Sequence, residues 1–323
     1  MPLPPGFDYA WAVRFLAARV VPSIESVAPM TYRRVVWIDA TDVGAAVRAP
    51  VSLVFRVVRG RGGGARLAMR MVPSLPAPVA RRVAIRMFDL DADLAAFHSM
   101  ARRDAVLRPV IAATGRGLRL PQLLDPFEAL VRAVLGQQVS VQAASTMTDR
   151  VVRALGVPAP SDADEDDDAT PRLAFPRPAA IAEAGIGALR ALGITAAKAR
   201  ALCGIARAIE DGQLDLAALR RRPPEEVHEA LLALPGIGPW TASYVRMRAL
   251  GDRDAFPAED LGVVKAMAAR GVARAEIAAV AERWRPWRAY ATLHLWHSLA
   301  APHPRATSAA RRRTPGAIRH GAR

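Results

Sequence analysis

The sequence has a single cysteine, Cys203, among 323 residues. One thiol cannot close an intrachain disulfide, and no cysteine-based metal site can form within the chain. Long apolar runs are missing too: no stretch of about 18 uninterrupted apolar residues occurs, which argues against a transmembrane helix. The opening residues, MPLPPGFDYAW, carry neither a charged n-region nor a long apolar run. No signal peptide is therefore predicted, and a reducing cytoplasm is the expected setting.

Basic charge and apolar side chains are plentiful. Hydrophobic residues make up 52% of the chain, enough to bury a real core, and the length suits two or three domains. Lys plus Arg number 45 against 30 Asp plus Glu, a formal charge of +15. That excess favours a polyanionic partner, nucleic acid before a membrane surface; an Arg- and Ala-rich composition is the plainer explanation. Two segments distort the count. Asp162 to Asp168 holds six acids in seven residues, and Ala301 to Arg323 holds six arginines and no acid. They offset each other, so the excess belongs to the folded part.

Residues 8–28 read as an amphipathic helical stretch with Trp11, Phe15 and Leu16 on one side. From Met30 to Val72, the β-branched runs MTYRRVVWIDA, VSLVFRVVRG and RLAMRMV are separated by glycine-rich punctuation at Gly60 to Gly64. They predict strands of an antiparallel sheet. Residues 76–106 return to helix. An α+β domain over 1–115 is expected, followed by an almost wholly helical region over 116–300. There Asp125 is the expected N-cap of a helix with Pro126 at its first position, Gly136 can stop it, and Ser140 caps the next, to Leu155. Residues 157–178, Pro-rich and acidic, read as a mobile loop. Helices follow at 179–192, 195–211, 225–234, 260–270, 274–284 and 286–300, and residues 301–323 read as a basic, disordered tail.

The stretch LPGIGPWTA, from Leu234, has a predicted helix on either side. Gly236 and Gly238 permit positive φ and keep side chains away. The first N–H groups of the following helix are then free to face an anion, and the helix dipole favours negative charge there. Such a helix-hairpin-helix binds nucleic-acid backbone without reading bases. Gly236, Ile237 and Gly238 are the expected phosphate contacts, with Ile237 buried between the helices. An ordinary turn between helices with a glycine C-cap is the alternative.

Further on, Phe256-Pro257 precedes the acidic pair Glu259 and Asp260, and LGVVKAM follows. Pro257 cannot continue an upstream helix, so a new helix starts near Asp260. Asp260 alone reads as an N-cap. The combination resembles the helix-hairpin-helix DNA glycosylase superfamily, in which one essential aspartate follows the hairpin; Asp260 matches it. FDYAWAVRFLAARVVPSIESV, GLRLPQLLDPFEALVRAVLGQQVSVQAA and AERWRPWRAYATLHLWHS resemble the AlkA-type bacterial 3-methyladenine DNA glycosylases. The resemblance covers residues 7 to 300 apart from the acidic loop. It implies a TATA-binding-protein-like N-terminal domain, then two helical subdomains with a cleft between them.

Members that also cut the strand place a lysine just after the hairpin; Trp240 stands there, so covalent lyase chemistry has no obvious agent. The iron–sulfur branch needs four cysteines and is excluded. The resemblance implies a monofunctional glycosylase that flips alkylated bases, 3-methyladenine and related purines, from double-stranded DNA. Trp240 and Tyr244, four apart on one helix face, match the family's aromatic cleft together with Trp296, and would stack on a cationic base. Core packing is the alternative for each, and Trp284 and Trp287 are assigned to the core. Asp260 would stabilise an oxocarbenium-like sugar or orient water. Gln137 matches a residue near the lesion. The next position usually holds an apolar wedge; here it is Gln138, and the pair also reads as two solvated loop glutamines. No cofactor is expected beyond a monovalent cation at the hairpin carbonyls by family analogy, and His294 with His297 lack a third ligand. A cytoplasmic, nucleoid-associated monomer without membrane contact is expected. The rivals are a non-catalytic binder of alkylated DNA, a glycosylase/lyase for another damaged purine, and a methyltransferase or regulator that would need a reactive Cys203.

Overall fold

The β-branched runs pair as a four-stranded antiparallel meander in the computed structural model, which describes residues 1–38, 49–60, 64–160 and 171–300. Helix α1 (Tyr9–Ala17) leads into β1 (Glu25–Ala28), β2 (Thr31–Ile38), β3 (Ala49–Arg59) and β4 (Ala65–Val72), in the spatial order β1-β2-β3-β4. The register sets Tyr32 opposite Phe55 and Phe55 opposite Met69. Residues 25–28 were expected to be helical. They form a strand because the helix stops at Ala17 and the chain turns through 18–24 to lay Glu25 beside Arg34.

Helices α2 (Ala77–Phe88), α3 (Ala95–Arg103) and α4 (Leu107–Thr114) complete this region. Tyr9, Phe55 and Phe88 meet edge to face at 5.2–5.5 Å, the preferred arrangement of aromatic quadrupoles. Strand β2 is buried on both sides. Tyr32, Val36 and Ile38 join one core, while Trp37 packs against a second and donates its indole N–H to the Phe175 carbonyl at 2.6 Å.

The helical region begins at α5 (Pro126–Gly136), capped by Asp125, whose carboxylate accepts the Phe127 N–H. Helix α6 (Val141–Leu155) is capped by Ser140 in the same way. The expected loop at 157–178 is partly structured: β5 (Val157–Pro158) pairs antiparallel with β6 (Leu173–Ala174). The acidic run at 162–168 and the tail from 301 lie outside the described residues. Helices α7 (Pro178–Ala191), α8 (Ala196–Glu210), α9 (Leu216–Leu219), α10 (Pro224–Leu232) and α11 (Pro239–Ala249) surround α5 and share the second core. Helices α12 (Leu261–Ala268), α13 (Ile277–Ala281) and α14 (Arg288–Ala300) return to the first core, beside the sheet. No helix of the described residues is long and apolar enough to cross a membrane.

The predicted break near residue 115 is not a break in packing. Leu118, Leu120 and Leu124 belong to the first core, and α4 packs on α14. Asp89 bonds Arg253 at 2.6 Å and the Tyr290 hydroxyl at 2.6 Å across the same seam. His294 of α14 faces Thr114 of α4. The Thr114 hydroxyl donates to the Val110 carbonyl, leaving its oxygen to accept from His294 Nδ1 at 2.6 Å. Burial pushes this imidazole down to about 3, with His98 and His297 adding to the effect.

A histidine in an unfolded chain titrates near 6.5, so the unfolded state takes up the proton first. This contribution is complete above about pH 6.5 and is lost as pH falls from there towards about 3, at about 1.4 kcal/mol per pH unit. Urea midpoints should therefore drop between about pH 7 and about pH 5, and the drop should be shallower in His294→Leu.

Candidate active site

Helices α10 and α11 form the hairpin. Gly236 has φ 81°, and a Cβ there would lie 2.7 Å from the Ala201 Cβ of α8; only glycine meets both conditions. Gly238 does not use the freedom expected of it: it is the extended N-cap of α11, with φ −97°. Ile237 is buried as expected, but its N–H donates to the Leu234 carbonyl at 3.1 Å. Ile237 thus packs between the helices, and its amide is engaged within the hairpin. The amides of Gly236, Gly238, Trp240 and Thr241 make no backbone hydrogen bond among the described residues. These are the donors a helix start leaves open.

Along α11, Trp240, Tyr244 and Arg248 fall at successive four-residue steps and form one stripe facing a cleft of about 440 Å3. That volume is within the usual range for a ligand site. Trp240 and Tyr244 stack with centroids 5.3 Å apart, and Trp296 of α14 lies 6.5 Å beyond Tyr244. Phe15 of α1 stacks behind Trp296 at 6.4 Å.

Asp260 caps α12 and lines this cleft, while Glu259 is exposed and does not. Its Oδ1 accepts the N–H groups of Gly262 at 2.8 Å and Val263 at 3.0 Å, and the Trp296 indole at 2.7 Å. Its Oδ2 accepts the Trp240 indole at 2.9 Å. Two backbone amides and two aromatic walls thus fix one carboxylate. Gly262 makes this possible: a Cβ there would stand 2.8 Å from Trp296 Cδ1 and 3.0 Å from Asp260 Oδ1.

Gln137 is not in the cleft. Its Nε2 donates to the Gly236 carbonyl and to Thr241 Oγ1, both at 2.9 Å, so it staples the end of α5 to the hairpin. Its side-chain contacts are with the hairpin, beside the cleft lining of Gly136 and Val139. Gln138 has φ 58° and is exposed. It stands next to Val139, which lines the cleft with Val141, Leu261 and Leu299; all four are more than a third exposed. Trp284 is fully buried, as assigned, and Trp287 packs at the edge of the first core. His297 meets Trp11 edge-on while His294 faces α4, so the two imidazoles serve different neighbours. Cys203 is buried, and burial raises its thiol.

Several cleft residues carry no local signal in the sequence. Arg19, Arg132, Glu25 and Lys265 line it. The chain has two lysines. Lys198 donates to the carbonyls of Leu135 and Gln137, closing the end of α5, and Lys265 is exposed at the cleft edge. Arg132 bonds Glu25 at 3.0 Å and Glu128 at 2.9 Å, and Arg34 bonds Glu128 at 2.6 Å. Burial would raise Glu25, but Arg132 and Arg34 hold it below its ordinary range. Arg248 donates to the Tyr244 hydroxyl at 3.2 Å and to the Pro121 carbonyl at 2.8 Å. Continuing the four-residue stripe from Tyr244 would have found Arg248; Arg19 and Glu25 come from the other end of the chain.

A hairpin, a capped aspartate and an aromatic cleft beside an antiparallel sheet define a class. The chain belongs to the HhH-GPD superfamily of base excision DNA repair proteins, whose family model matches residues 131–289; the AlkA N-terminal domain matches residues 1–125. Among its relatives, DNA-3-methyladenine glycosylase 2 of Escherichia coli is 34% identical over 299 residues, 91% of this chain and 95% of that one. DNA-3-methyladenine glycosylase of Bacillus subtilis is 34% identical over 217 residues, 66% of this chain and 69% of that one. The solved 3-methyladenine DNA glycosylase of Archaeoglobus fulgidus superposes with a TM-score of 0.74 at 22% identity, over 92% of this chain and 96% of that one, a likeness of fold.

Proposed function

We propose that the protein excises alkylated bases, 3-methyladenine and related purines, from duplex DNA by hydrolysing the N-glycosidic bond, and leaves an abasic site. One observation carries this: the Asp260 carboxylate opens onto the cleft between the indoles of Trp240 and Trp296, which hold it from both sides. A base cannot be reached inside the duplex, and extruding it costs a few kcal/mol. Once in the cleft it lies against Trp240, Tyr244 and Trp296. The fixed carboxylate then offsets the positive charge that builds on the sugar, or orients the attacking water.

The open amides of Gly236, Gly238, Trp240 and Thr241 suit a DNA phosphate, which the α11 dipole also favours. A monovalent cation at the hairpin would share the Leu234 and Gly236 carbonyls with the Ile237 N–H and Gln137 Nε2. Gln138 is exposed beside Val139 and would enter the space left by the flipped base, with Val139, Val141 and Leu261 giving the rim its apolar character. Lys265 at the edge suits a phosphate contact. A monomer acting on DNA in the cytoplasm is the setting that fits.

The test is incubation of the protein with methylated duplex DNA, with products resolved. Free methylated purine should appear with intact, alkali-labile strands, and borohydride should trap no covalent DNA adduct. Binding without base release would leave only an alkylated-DNA-binding protein; an adduct would assign lyase chemistry, with the Lys265 amine as its agent.

A further inference from the structure

Six acids crowd into residues 162–168, and the chain that carries them leaves and rejoins the described fold at one place. Val157–Pro158 pairs with Leu173–Ala174, and the Ala159 N–H donates to the Arg172 carbonyl at 2.9 Å. The Ser52 hydroxyl of β3 donates to the Pro160 carbonyl at 2.6 Å. Ser52 belongs to the outer face of the sheet, the one turned away from Tyr32, Phe55 and Met69. That face is covered where Trp37 packs on the second core. Beyond Ser52 it opens to solvent, with Arg56, Val58, Arg66 and Arg70 exposed.

The pleat puts every second residue of a strand on this face, so the register gives its neighbours. Arg33 of β2 and Arg70 of β4 flank Val54, Arg56 stands between Thr31 and Ala68, and Arg66 lies opposite Val58. Arg56 Nε donates to Thr31 Oγ1 at 3.3 Å and is held along the sheet. Four guanidiniums thus share one face, and no strand residue on that face is acidic. Among the described residues, no carboxylate lies within ion-pair distance of Arg33, Arg56 or Arg66. Like charges gathered on one sheet face repel each other, so the face favours an anionic cover.

We propose that the outer face of the sheet docks the chain's own acidic run, Asp162 to Asp168, and that the run keeps this basic face from competing with the hairpin and the cleft for DNA phosphates. Reach permits it. Ten residues, 161–170, join Pro160 to Pro171, and five out and five back extend up to about 17 Å. Successive residues on one face of a strand are about 7 Å apart. The rungs of Val54 and Arg56, one and two steps from Ser52, fall within that span. Attachment at both ends holds the acids near the face at roughly millimolar effective concentration, before any second molecule arrives. A DNA backbone competes for the same guanidiniums and has to displace carboxylates that are already there.

The test compares the full chain with a neutral-run variant carrying Asp162→Asn, Asp164→Asn, Glu165→Gln, Asp166→Asn, Asp167→Asn and Asp168→Asn. The probe is undamaged duplex DNA, titrated from about 50 to about 200 mM salt. The neutral-run variant should bind at least about tenfold tighter at the lower salt, with a logarithmic salt slope steeper by about three, one for each of Arg33, Arg56 and Arg66 set free. Adding Arg33→Gln, Arg56→Gln and Arg66→Gln to that variant should return the slope to the parent's. The same three changes in the parent should leave its affinity within about twofold. A tenfold loss there would make the face a DNA-binding surface in its own right, and a gain that survives the three arginine changes would be a general charge effect; either overturns the proposal, as does no gain at all. A second measurement needs neither DNA nor a variant. A dicarbonyl reagent should modify Arg56 of the parent at least about threefold faster at about 1 M salt than at about 50 mM, because salt screens the docked acids away, and a rate independent of salt overturns the proposal.

Discussion

Asp260→Asn is expected to lower base release from methylated duplex DNA by at least roughly a hundredfold, while lesion DNA is still bound. The four N–H groups around the carboxylate explain why so small a change should cost so much. An amide has one acceptor oxygen and one donor nitrogen. If its oxygen takes the place of Oδ1, it keeps Gly262, Val263 and Trp296, and its nitrogen then confronts the Trp240 indole N–H. The negative charge facing the sugar is gone, and one aromatic wall loses its tether. Asn caps helices as well as Asp does, so the melting temperature should stay near that of the parent and separate a chemical defect from a folding one. Near-normal single-turnover release by this variant would refute the assignment of Asp260.

Gly262→Ala should produce a defect of the same kind without touching a charge. Alanine is the better helix former, by about 1 kcal/mol, and φ at this position is not in the left-handed region. Global stability should therefore hold or rise. The added methyl would lie 2.8 and 3.1 Å from two atoms of the Trp296 indole and 3.0 Å from Asp260 Oδ1, so indole and carboxylate must both shift by a few tenths of an ångström. Displacements of about 1 Å at a reacting centre can cost about a hundredfold, and a loss of about tenfold to a hundredfold is expected here. A rate equal to the parent's, with unchanged melting, would show that the Trp296–Asp260 contact is not needed.

Much of the site could be read from local patterns. Asp125-Pro126, Ser140 and Asp260 announce helix starts because a cap is satisfied within three residues of itself. Trp240 and Tyr244 are four apart, and that spacing alone puts them on one face. The hairpin is marked by Gly236, whose backbone and whose neighbour Ala201 admit nothing larger.

What escaped the sequence depends on distant partners. Gln137 finds its acceptor 99 residues away, and nothing next to it says whether it turns to the cleft or to the hairpin. Arg19 follows α1 in a region assigned to another domain, and it reaches the cleft because Trp11 and Phe15 of that helix pack on α14. The strand at Glu25 is not legible because four residues hold too little pattern to contradict the amphipathic stretch before them. Gly262 lies within the apolar run LGVVKAM, and only the indole arriving from α14 gives it meaning.

Arg132 holds Glu25 with its side chain and the Arg19 carbonyl with the same guanidinium, so α5 grips the amino-terminal segment at the very rim of the catalytic space. The first module is then no detachable accessory. A truncated protein starting at α5 would keep its aspartate and its hairpin yet lose Arg19, Phe15, Leu16 and Glu25 together, leaving a crevice with one side missing and Arg132 paired with Glu128 alone. The wall of that crevice is thus divided between the two halves of the chain, and a substitution at Leu16 or Arg19 reaches it as directly as one on α11.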